Sequence, residues 1–272
     1  MAAIDPLHQF LVEKIVPLPP IQIGGFPLDL SITNSVMMML VAGVLVSLIL
    51  GLASRGDLIP NRVQAIGEAF FGVVETTLVT PIIGHNGKPY VPFVFTIFMM
   101  VFVMNLLGIV LSLGSLAGFE WTFTPTSQLA ITATLAILTF LTVLIVGFVR
   151  NGLGFFKLFV PAGLPWPMVP LMFVIELISF LVRPLTLSMR LFGNIVGGHV
   201  VMFIFASFVI SLGIIGLGGG WGSLGFLGSA ASLTMIVLLT GLELLVAFLQ
   251  AFIFAALATV YLNEVVNLGH GH

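Results

Sequence analysis

The sequence predicts an all-α integral membrane protein, and three observations carry that reading. Hydrophobic residues make up 59% of the chain, charged residues only 7%, and mean hydropathy is +1.26; a soluble domain needs far more charge to cover its surface. Apolar runs recur that are long enough to cross a bilayer, whose hydrocarbon core of about 30 Å takes roughly 20 helical residues. Between them fall charged or Gly- and Pro-rich connections. About five membrane helices plus one amphipathic surface helix are expected, in a single membrane domain over 1–272.

Residues 1–30 contain Asp5, Glu13 and Lys14, then Pro17, Pro19, Pro20, Gly24, Gly25 and Pro27, and read as an irregular arm outside the bilayer. They lack the basic start, short apolar core and small-residue cleavage site of a secretory signal peptide, so the first long apolar run is expected to direct insertion itself. Runs 35–53, 91–113 and 127–149 each suit one crossing. Residues 60–80 read as a surface helix, with Val63, Ile66, Phe70, Val73 and Leu78 on its apolar face and Asn61, Gln64, Glu68 and Glu75 on another.

Runs 168–217 and 226–262 are too long for one perpendicular crossing. Helical throughout, they would reach roughly 75 Å and 55 Å, so they are expected to tilt steeply, bend, or lie partly along the surface; Pro184 is a candidate bend. The stretch 213–228 holds too many glycines for a firm helix, which puts the turn of a hairpin there.

Arg55, Arg62 and Lys88 follow the first span and Arg150 and Lys157 the third, whereas Lys14 lies alone on the other side. That bias predicts an outer N-terminus and an inner C-terminus. Net charge is only −2 with the basic residues dispersed, which excludes a nucleic-acid-binding face. The absence of cysteine excludes a disulfide framework, Cys-ligated zinc and a thiol nucleophile. No H-E-x-x-H is present, and Ser223 in WGSLG lacks the first glycine of a nucleophile elbow. No catalytic residue, metal or cofactor is expected, and no transporter-like inverted repeat is seen.

The long fourth run carries a polar stripe. Glu176, Ser179, Arg183, Thr186, Arg190, Asn194 and Gly197 follow one another at three or four residues, hence on one helix face. An Arg at mid-helix costs about 2.5–3.5 kcal/mol on insertion scales and faces protein, a counter-charge or water. Arg183 lies close enough to the inner end to snorkel, but Arg190 does not. A guanidinium keeps its proton, so Arg190 holds a fixed charge and relays nothing. Either Glu176 or Glu243 of the same chain neutralises it, or another subunit brings the anion. Gly193 and Gly197 form a G-x-x-x-G pair, a surface for close helix approach that ordinary packing also uses.

Counted from the glycine turn, His199 and Glu243 reach similar depth, and Gln250 shares a face with Glu243. Intramembrane His and Glu are proton-relay candidates. A lone His is as readily a packing residue, and the matched Glu is what favours a shared proton site. With the turn outside, this pair lies toward the outer face, Glu176 toward the inner, and Arg190 between. Two offset half-channels that never connect directly require that order.

These residues also carry a family resemblance. The run PLTLSMRLFGNIVGGHVV around Arg190 resembles the signature of F-type ATP synthase subunit a, the proton-channel stator subunit of the Fo sector. LLVAFLQAFIFAALATVYL around Gln250 resembles its last-helix signature, and Asn105 in FVMNLLGIV looks like a third element. The resemblance spans most of residues 30–265. It implies proton translocation coupled to rotation and ATP synthesis, in a subunit with no active site or cofactor of its own. Arg190 would be the stator arginine facing a c-ring carboxylate, Asn194 and Gln250 would line the region beside it, His199 and Glu243 would belong to the outer half-channel, and Glu176 to the inner. The implied partners are the c-ring, subunit b or the peripheral stalk, the lipid bilayer and protons. A bacterial inner membrane is the expected location, ahead of an organellar one. Some members carry an acid at the position of His199 and a histidine at that of Glu243, a swap that keeps the pair. Arg183 stands for a Lys of some members and Gly108 for an acid, and neither is expected to relay protons.

Overall fold

The computed structural model describes residues 14–17, 21–23, 26–28, 31–53, 61–116, 125–160, 166–218 and 224–268. The helices are α1 (Asn34–Ala53), α2 (Arg62–Val73), α3 (Thr80–Ile83), α4 (Val91–Leu116), α5 (Leu129–Asn151), α6 (Val169–Leu217) and α7 (Leu224–Val266). A π-helical segment, Val74–Val79, and a 3-10 segment, Gly84–Tyr90, join α2 to α4 through α3, so Arg62–Ser112 is one helical stretch. Among the described residues five stretches are long and apolar enough to cross a membrane. Each expected span matches its helix within a few residues.

Two features depart from the expectations. The N-terminal arm is not wholly irregular: β1 (Lys14–Val16) pairs antiparallel with β4 (Ile32–Thr33), and β2 (Ile21–Ile23) with β3 (Phe26–Leu28). Residues 1–13 lie outside the described set. On α2, Val63 and Ile66 are 43% and 58% exposed and Gln64 is buried at 6%, while Phe70 packs against Phe98 and Phe102 and Leu78 beyond it is buried. Outward-facing Val63 and Ile66 suit a helix whose solvent is lipid. Pro184, the candidate bend, lies within α6.

The second departure is the glycine stretch 213–228: α6 ends at Leu217, as expected, and α7 begins at Leu224, so glycines on both sides of the connection lie within helix. Gly213 and Gly216 belong to α6, and Gly225 and Gly228 to α7. These glycines permit close approach and do not break the helices. A Cβ at Gly225 would lie 2.5 Å from the Leu212 carbonyl oxygen and 2.8 Å from the Gly216 nitrogen, so any side chain there would force the helices apart.

The chain divides into two compact units. The first comprises Met1–Gly43, Val103–Gln128 and Leu191–Leu249. Its core joins Met202 and Ala206 of α6 to Ile236 of α7, and the Ser229 hydroxyl donates to the Val209 carbonyl at 2.9 Å. Buried Asn105 of α4 donates through Nδ2 to the Ala247 carbonyl at 3.3 Å, while its Oδ1 accepts no hydrogen bond among the described residues.

The second unit comprises Val44–Phe102, Leu129–Arg190 and Gln250–His272. Phenylalanines dominate it: Phe180 of α6 meets Phe140 of α5 at 4.9 Å between ring centroids and Phe159 at 5.5 Å edge-on. Gly152, at φ +52°, ends α5 in the left-handed region, and the 3-10 segment Gly152–Phe159 then folds back. Asn151 donates to the Val265 carbonyl at 2.7 Å and ties the end of α5 to α7.

Candidate functional site: ionisable groups on the two longest helices

In the second unit, the α6 stripe resolves into one neutralised cation and one exposed cation. Arg183 Nη2 stands 3.6 Å from Glu176 Oε1, one face and two turns back on α6, and Nη1 is ion-paired with Glu264 of α7. The guanidinium also lies over the rings of Tyr261, at 4.8 Å, and Phe180, at 5.3 Å. Its side chain is only 16% exposed. Two carboxylates and two aromatic faces hold it there.

Arg190, two further turns along, is exposed. Among the described residues of its unit, no carboxylate lies within 4.0 Å of it, since Glu176 is engaged with Arg183. Internal neutralisation by Glu176, one of the two alternatives left open above, is not what the fold does. Thr186 and Asn194, one turn to either side of Arg190 on its face, are exposed as well, and so are Leu185 and Met189 beside them. Gln250, at the start of this unit's share of α7, is buried.

In the first unit, His199 is buried at 2% exposure, and Glu243 packs against the adjacent Gly198. A Cβ at Gly198 would fall 2.5 Å from Glu243 Oε1, so the glycine is what admits the carboxyl group. Both Glu243 carboxyl oxygens are shielded from solvent and accept no hydrogen bond among the described residues. The depth matching expected from the sequence thus brings Glu243 to the His199 turn of α6. Asn194 is exposed, as are Gly193 and Gly197, at each of which a Cβ would meet nothing within 4 Å.

Sequence reasoning missed Glu264 and Tyr261 as part of the Arg183 cluster. The signal was available, because Glu264 lies about as far after the glycine turn as Glu176 lies before it. The described residues contain no group of three or more His, Asp or Glu able to hold a metal ion.

Together these features define a polytopic α-helical membrane protein whose intramembrane ionisable groups are concentrated on its last two helices. The model of the ATP synthase A chain family matches residues 35–263, and the chain belongs to that family. It is 47% identical over 266 residues to ATP synthase subunit a of Nitrobacter hamburgensis, covering 98% of this chain and 99% of the relative. Subunit a of Chelativorans sp. is 46% identical over 270 residues, with 98% and 100% covered. Subunit a of Rhizobium meliloti is 44% identical over 269 residues, with 98% and 99% covered.

Proposed function

We propose that this chain conducts protons through the membrane sector of a rotary ATP synthase, as one membrane domain in a bacterial inner membrane. Its N-terminus lies outside and its C-terminus inside, and it performs no catalysis itself. The observation that carries the reading is the exposed Arg190 on an apolar stretch of α6, with the nearby acid Glu176 already committed to Arg183. A fixed cation in that setting favours a carboxylate brought by another subunit. A ring of c subunits passing this surface would supply one, with subunit b or a peripheral stalk holding the chain against the turning ring.

In this mechanism protons reach the ring carboxylate through an outer half-channel containing His199 and Glu243 and leave by an inner one containing Glu176. Arg190 lies between them and cannot give up its proton, so it blocks a direct leak. Asn194 and Gln250 line the region beside it. A charge moving through 100 mV releases about 2.3 kcal/mol, and a rotor that advances only when its carboxylate is protonated turns that energy into torque. The test is ATP-driven proton pumping in inverted membrane vesicles containing Arg190→Ala at the wild-type level of the chain. Loss of pumping is expected, and undiminished coupling refutes the reading.

A further inference from the structure

We propose that a cleft between α1, α2 and α4 in the second unit binds a phospholipid with an ammonium head group, of the phosphatidylethanolamine class. The cavity measures about 530 Å³. Leu50, Phe71 and Phe95 supply apolar wall, and Glu68 and Glu75 supply two carboxylates, whereas no Lys, Arg or His lines it. An acyl chain fits that wall, and an ammonium group fits those acids. An anionic head group would meet only like charge.

Three further features support a built site. Buried Gln64 donates through Nε2 to Glu68 Oε1 at 2.8 Å and fixes that carboxylate from below. At Gly72 a Cβ would meet nothing within 4 Å, so the glycine leaves the cavity open, whereas Gly67 nearby is closed by Ala53 at 2.6 Å. The helix also widens into its π-helical segment at Val74, beside the cleft, and such widenings recur at binding sites.

The chain contains no cysteine, so Gly72→Cys provides a single thiol for a photoreactive label in native membranes holding the assembled protein. Cross-linking to phosphatidylethanolamine should exceed that to phosphatidylglycerol by about fivefold per unit abundance, the ratio one exposed ion pair supplies. Adding Glu68→Gln and Glu75→Gln should abolish the preference. Cross-links to a polypeptide, whether this chain or another, or equal yields for the two lipids, overturn the proposal. If the labelled variant does not assemble, retention of the two lipids by the unlabelled protein in native mass spectrometry decides it, and equal retention again overturns it. Neither readout depends on proton conduction.

Discussion

Arg183 stands 3.6 Å from Glu176 on the same helix and also engages Glu264 across from it. One guanidinium therefore joins two acids and fastens α6 to α7 within the second unit. Replacing Arg183 with Ala leaves two carboxylates without their cation. Breaking a buried pair costs about 3–5 kcal/mol; with these acids just under a third exposed, a loss of about 2 kcal/mol is expected, read as a lower thermal midpoint in detergent. Arg183→Lys keeps the charge but loses the planar fork and the ring stacking, and should fall between. An Ala variant as stable as wild type would show that the cluster holds nothing.

A second prediction concerns the carboxyl group lodged against Gly198. Gly198→Ala puts a methyl 2.5 Å from the position of Glu243 Oε1, so the acid must move. The variant should assemble normally yet slow proton uptake in the direction of Glu243→Gln, because both take a carboxylate away from the His199 turn. Flux measured at equal protein level checks this, and an unchanged rate in both variants removes Glu243 from the pathway.

Gly193 and Gly197 differ from Gly198 in facing open space. Leu at either position should leave the melting behaviour of the isolated chain within about 0.5 kcal/mol of wild type, the usual range for surface changes. In the assembled complex the same variants should reduce ATP-driven pumping, since close helix approach depends on small residues. Full pumping by both would show that no partner helix uses this surface.

Much of this was readable in the chain because lipid imposes a simple demand: every crossing must be apolar and internally hydrogen-bonded. The spans, and the placing of Glu243 against Gly198 beside His199, followed from that demand and from counting outward from the glycine turn. The burial of Gln64 on α2 did not, because one helix's own pattern does not show which of its residues the neighbouring elements cover. Gly225 was read as a helix breaker when its contribution is close packing against Leu212; composition alone cannot distinguish the two uses of glycine. The paired strands of the N-terminal arm, two or three residues each, are too short to leave a periodic trace. Glu264 was overlooked because an acid at the end of a helix ordinarily faces solvent.

The central claim is that the Arg190 guanidinium serves a carboxylate from outside the chain. The most direct measurement is a density map of the assembled membrane sector with its ring in place. The account predicts Arg190 directed at the ring, with a ring carboxylate passing within ion-pair reach. A map showing Arg190 folded back onto Glu176 or Glu243, away from the ring, would contradict it.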